Sequence, residues 1–193
     1  MSVGKWAHLG HRQGECWVDE THHFTYVHIP KNASSFVKGC LIGARGFWKH
    51  SETLINGKEN LIVLRDPIDR WCSGIAQYEY NIKSLLDPHT AFETITFDDH
   101  TELQTYFLKG VDLSCATFML VDDNLRSTLS RWIIEHGYVT NIEIAHAYNT
   151  SEDDKLERKN YYIKLLEQDP SLVLKLKEHF AEDYKLIKSV KFL

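Results

Sequence analysis

The sequence has no apolar run approaching the roughly 20 residues that a membrane-spanning helix needs. Its N-terminal MSVGKWAHLGHRQ also lacks the apolar core of a signal peptide. There is no basic block either. Lysine and arginine number 22 against 27 acidic residues, for a net charge of −5. That balance argues against non-specific nucleic-acid binding and recruitment to a membrane surface, so an anionic ligand has to be held by a local patch. Only four cysteines occur (Cys16, Cys40, Cys72 and Cys115), far apart and without CxxC spacing, which reads as reduced, mostly buried thiols. Internal repeats and low-complexity tracts are absent as well. These absences point to a cytoplasmic protein with no membrane or nucleic-acid partner. What is present is an ordinary globular composition, 43% hydrophobic and 25% charged, over 193 residues. That is the length of one domain, large enough to bury a core without disulfide or metal staples.

Two stretches organise the rest. The first, FTYVHIPKNASSF (Phe24 to Phe36), opens with β-branched and aromatic residues. It passes a proline that ends regular pairing and runs through small polar residues into the helix-compatible FVKGCLIG. A strand, tight loop and helix in that order aim backbone N–H groups at one spot, at the positive end of a helix dipole. Lys31 adds an ammonium, and Ser34 and Ser35 add hydroxyls, so the spot suits a phosphate or sulfate. It is not a Walker A loop, since Lys31 precedes the hydroxyls by three residues. The alternative is a buried strand and a helix start in which Ser34 or Ser35 merely caps orphan N–H groups.

The second stretch, NLIVLRDPIDRWCSGIAQY (Asn60 to Tyr78), begins with the apolar run LIVL, suited to a strand buried on both faces of a parallel sheet. Asp66 is placed to cap the following helix, with Pro67 at its first position and Asp69 in its first turn. Arg65 is left at the carboxyl end of the strand. Ser73, eight residues on, lies in the second helical turn. A second anion site at the same sheet edge follows.

Together the two stretches resemble the sulfotransferases that use 3′-phosphoadenosine 5′-phosphosulfate (PAPS). HIPKNASS resembles their 5′-phosphosulfate loop, a strand followed by P-K-[ST]-G-[ST]-[ST], and LIVLRDPIDRWCS resembles their 3′-phosphate motif. The HIPK and RDPxxRxxS forms are similar to those of the carbohydrate-type branch. Asn32-Ala33 stands where that pattern has Thr-Gly, so close backbone approach at position 33 has no glycine to permit it. The resemblance implies that Lys31, Asn32, Ala33, Ser34 and Ser35 bind the 5′-phosphosulfate, that Arg65 and Ser73 grip the 3′-phosphate, and that no metal is needed. It also implies an acceptor hydroxyl on a carbohydrate or small molecule.

The alternation of strand and helix predicts an α/β fold with a central parallel sheet and helices on both faces. Combined with the resemblance, this is a P-loop NTPase-like three-layer sandwich over residues 24–193. Residues 1–23, polar and turn-rich, read as a surface-wrapping arm. Their His8, His11, His22, His23 and Cys16 match no strong zinc pattern.

Further on, the helix from Pro67 is expected to run through SGIAQYEYNIKSLL, with Trp71, Ile75 and Tyr78 on its core face. Thr101 to Leu108 reads as a helix ended by Lys109-Gly110. FDDHTELQTYF resembles the carbohydrate-branch pattern of a histidine and a glutamine near the acceptor, without its proline. His100 is the candidate general base, because an imidazole titrates near neutrality. A capping or surface histidine is the plain alternative, and Asp98, Asp99 and Glu79 are further candidate bases. Trp48, His50, Phe92 and Phe97 are aromatic rings able to stack on an acceptor. Asn149-Thr150-Ser151 reads either as a polar step near the nucleotide or as a plain helix start. Two other functions fit the same motifs: an inactive sulfotransferase-like protein that binds a nucleotide or glycan, and a P-loop kinase.

Overall fold

The structure, a computed structural model, describes residues 13–19, 24–44, 48–52, 54–55, 59–138 and 153–193. The expectations for His8, His11, His22, His23 and Asn149-Thr150-Ser151 fall outside these residues. The chain divides into two compact units. The sheet unit comprises the described residues of 12–65, 105–150 and 189–193, and the helical unit those of 66–104 and 151–188.

Among the described residues, the sheet unit has five strands: β1 Cys16–Asp19, β2 Phe24–Val27, β3 Trp48–Ser51, β4 Glu59–Leu64 and β5 Ala116–Leu120. Their order is β3-β1-β2-β4-β5. β2, β4 and β5 run parallel, with Val27 opposite Ile62 and Ile62 opposite Phe118. The expectation of a wholly parallel sheet is corrected on the other side, because β1 pairs antiparallel with both β2 and β3. Only four residues separate Asp19 from Phe24, too few for the crossover that a parallel pair requires. Cys16–Asp19, inside the stretch read as an arm, therefore lies within the sheet, and it buries Cys16, Val18 and Asp19. Tyr138 donates a hydrogen bond to Asp19, tying β1 to the segment that follows Gly137.

Helices α1 (Ser34–Gly43) and α5 (Leu125–Glu135) pack on this sheet. Phe24 and Tyr26 of β2, Leu61 and Val63 of β4 and Met119 of β5 meet Phe36, Val37 and Leu41 of α1 and Leu129, Trp132 and Ile133 of α5. Each such side chain, fully buried, contributes about 1.5–3 kcal/mol. The residues of opposite parity, Thr25, Val27, Ile62 and Leu64, are buried too, as the continuous LIVL run requires.

The helical unit contains α2 Pro67–Ile82, α3 Pro88–Thr94, α6 Asp153–Gln168, α7 Pro170–His179 and most of α8 Ala181–Ser189. Asp66 caps α2 as the sequence indicates, accepting from the amides of Ile68 (3.0 Å) and Asp69 (2.9 Å), with Pro67 at the first position. Trp71 and Ile75 are fully buried, and they pack with Phe92, Phe97, Tyr162, Leu176 and Phe180. α2 ends four residues before Leu86, because Lys83 turns left-handed and the Ser84 amide closes back on the Glu79 carbonyl at 3.2 Å. Among the described residues, no helix is long and apolar enough to cross a membrane.

Candidate functional site

The first of the two sequence motifs leaves the carboxyl end of β2. His28, Ile29 and Pro30 are buried, and the chain then turns through two left-handed residues, Lys31 (φ 66°) and Ala33 (φ 53°), before α1 begins at Ser34. Ala33 therefore adopts the backbone conformation that favours glycine at the position where the resembled pattern has one. It is also the residue preceding α1, so neither Ser34 nor Ser35 holds the cap position, and among the described residues no side-chain bond caps that helix. Among the described residues, no side chain accepts from the first-turn amides at the positive end of α1.

Two hydrogen bonds fasten this loop to the end of β4. The β2–β4 ladder stops at Val27 and Ile62, and the buried Asn32 donates Nδ2–H to the next carbonyl, that of Val63, at 2.8 Å. In the reverse direction, Arg65 donates Nη1–H to the Lys31 carbonyl at 2.7 Å. Lys31 and Arg65 thus meet within the sheet unit, at the carboxyl ends of adjacent parallel strands, where α/β sheets bind ligands.

Behind the loop lies a cluster that the sequence reading missed. The buried Glu15 holds His28 Nδ1 and His50 Nε2, each 3.0 Å from its Oε1. A carboxylate only accepts, so His28 carries its proton on Nδ1 and His50 on Nε2. Glu15 fell in the stretch read as an arm, and no spacing rule links it to residues 13 and 35 positions away.

Ser73 and His100 belong to the helical unit. Ser73 sits in the second turn of α2 and donates Oγ–H to the Asp69 carbonyl at 3.1 Å, so it must rotate to donate elsewhere. His100 lies in a turn, and the helix expected over Thr101 to Leu108 is only the short α4 (Gln104–Phe107). Its Nδ1 is 3.2 Å from Asp98 Oδ2 and 3.1 Å from Asp99 Oδ1. Burial pushes the imidazole pKa down, but hydrogen bonds and charge from the two carboxylates outweigh it and hold the pKa above the ordinary histidine value. The Asp98 carboxylate accepts from Nδ1 and so fixes the proton of the neutral ring there, with the Asp99 carboxylate close by as a second negative charge.

The turn itself is built tightly. Thr101 Oγ1 accepts from the amides of Phe97 (2.8 Å) and Asp98 (3.1 Å). The buried Arg70 donates to the carbonyls of Glu102 and, at 3.3 Å, Asp99. Gly74 approaches so closely that a Cβ there would stand 2.2 Å from the His100 carbonyl oxygen. Asp98, Asp99 and His100 also bring one ligand atom each within 4.8 Å of one another, a set able to hold a metal ion.

Compared with protein-family models, curated proteins and solved structures, the chain matches none.

Several candidates change standing. Phe92 and Phe97 are buried in the helical core and cannot stack on an acceptor. Glu79 is committed to structure, accepting from the Leu86 amide (2.8 Å) and the Tyr162 hydroxyl (2.7 Å). Gln104 is fully buried, its amide bonded to Asp183 Oδ2 at 2.8 Å. His50 and Trp48 remain on the edge strand β3.

Proposed function

We propose that the protein is a sulfotransferase that takes a sulfuryl group from PAPS and delivers it to a hydroxyl acceptor, a carbohydrate or small molecule. The observation that supports this reading is the 2.7 Å bond from Arg65 to the Lys31 carbonyl, which joins the backbone of one motif to the cationic side chain of the other. The uncapped start of α1 and the left-handed Lys31 and Ala33 support it, since they describe a loop that leaves backbone donors available to an anion.

When bound, the donor supplies an activated sulfuryl group on its 5′-phosphate. Lys31 and the first-turn amides of α1 neutralise charge on the oxygens at that end, and Ser34 and Ser35 add hydroxyl donors. Arg65 holds the 3′-phosphate as a charged fork, and Ser73 contributes a hydroxyl after rotating away from Asp69. His100, with its proton fixed on Nδ1, accepts the acceptor's proton at Nε2. Lysine and backbone dipoles supply the positive charge in this scheme.

The test is transfer of label from 35S-PAPS to a panel of sugars and phenols, with His100→Ala as control. Labelled product that falls about 100-fold or more in His100→Ala supports the reading. A chain that binds donor but transfers to no acceptor and releases no sulfate would favour the inactive binding protein instead.

A further inference from the structure

We infer that Arg65 and Asn32 are positioning residues for the Lys31 loop, so that Arg65 governs binding at the 5′ end of the nucleotide as well as at its 3′-phosphate. The nature of the ligand rests on the donor reading above. The coupling rests on the geometry of the sheet unit alone.

Lys31 and Ala33 both hold φ in the left-handed region, which residues with a Cβ disfavour. Something must keep them there. The loop has two fastenings that cross: Asn32 reaches from the loop to the Val63 carbonyl, and Arg65 reaches from beyond β4 to the Lys31 carbonyl. They grip adjacent residues, so the peptide between Lys31 and Asn32 is held on both sides. Asn32 and Val63 are buried, and water cannot readily replace that bond. A guanidinium carries five N–H donors in a rigid fork, so bonding a carbonyl through Nη1 is compatible with holding a phosphate on the same group. An anion that orders Arg65 therefore also orders the loop that presents Lys31. By linkage, an anion on the loop favours the ordered Arg65 by the same factor.

This gives Asn32 a role distinct from that of a ligand contact. It also separates two effects of removing Arg65: loss of a phosphate contact and loss of loop order.

The first experiment is amide hydrogen exchange on the full chain without ligand. Arg65→Ala and Asn32→Ala are each expected to speed exchange of the Asn32 amide and of the α1 amides from Val37 on by about tenfold, while β4 and β5 keep their protection, which also checks folding. Arg65→Lys, a milder variant that keeps the charge and loses the fork, is expected to move the same segment. Unchanged protection of the Asn32 amide and of the α1 amides from Val37 on in all three overturns the inference.

The second is titration with adenosine 5′-monophosphate, which lacks the 3′-phosphate, beside adenosine 3′,5′-bisphosphate. Asn32→Ala is expected to weaken both by a similar factor, about tenfold, and Arg65→Ala to weaken the monophosphate about tenfold and the bisphosphate further still. If Arg65→Ala weakens the bisphosphate but leaves the monophosphate within about twofold, the inference fails and the donor reading stands. If the wild-type chain binds neither nucleotide, the donor reading fails, and the claim about the 5′ end fails with it.

Discussion

The Lys31 loop and the His100 turn hold their functional groups by opposite means. In the loop, backbone conformation runs against residue preference, the helix start is left without a side-chain cap, and two hydrogen bonds tie the segment to β4. In the turn, Thr101, Arg70 and Asp98 satisfy the backbone, and two carboxylates meet at one imidazole nitrogen. The difference follows from what each would hold. A loop that wraps an anion needs open backbone donors, and it accepts local strain to present them. A base needs one nitrogen in one orientation, which tight packing and a fixed tautomer provide.

The sharpest way to break this comparison is to remove charge from the loop and volume restraint from the turn. Lys31→Ala should lower kcat/KM by about 10²- to 10³-fold, with thermal stability nearly unchanged, because a half-buried loop lysine supports chemistry more than folding. Gly74→Ala should behave in the opposite way. Its Cβ would collide with the His100 carbonyl, so denaturant unfolding should show a loss of about 1–3 kcal/mol together with lost activity. If Gly74→Ala leaves stability intact, the turn is looser than its packing indicates.

A gentler probe is Asp98→Asn. The carboxylates hold the His100 pKa above its ordinary value, and a base works only when neutral, so kcat/KM should climb with pH through that raised pKa and level off above it. Removing one carboxylate should move the climb to lower pH. The same shift affects stability. A raised folded-state pKa adds stability that is fully present below the unfolded value of about 6.5 and lost as pH rises through the folded value. Asp98→Asn should shrink that contribution, measured as the difference in unfolding free energy between acidic and mildly alkaline buffer. The smallest effect is expected for Ala33→Gly, which relieves a left-handed alanine but adds chain entropy to the unfolded state. A net gain of about 0.5 kcal/mol is expected in thermal melts.

How much of this was legible depended on how local each signal was. LIVL announced a doubly buried strand, and Asp66-Pro67 announced a helix start, because both are written in consecutive residues. β1 was hidden because a four-residue strand amid polar residues has too few positions to show alternation. The antiparallel half of the sheet went unseen with it. Glu15 beside His28 and His50, and Gly74 beneath His100, are contacts across 13 to 35 residues that no periodicity encodes. Phe92 and Phe97 were misread for a related reason, since an aromatic residue in an irregular passage looks the same whether it faces solvent or a core. His100 was singled out from the sequence, but its two carboxylate neighbours emerged as its orienting groups only from the geometry of the turn.

The central claim is that the Lys31 loop and Arg65 form a site for a nucleotide bearing a 3′-phosphate. Calorimetric titration of the full chain with adenosine 3′,5′-bisphosphate, against ATP with magnesium, tests it most directly. The account predicts one-to-one binding of the bisphosphate, stronger than that of ATP-magnesium and lost in Arg65→Ala and Lys31→Ala. Preference for ATP-magnesium, or bisphosphate binding that survives both substitutions, would contradict it.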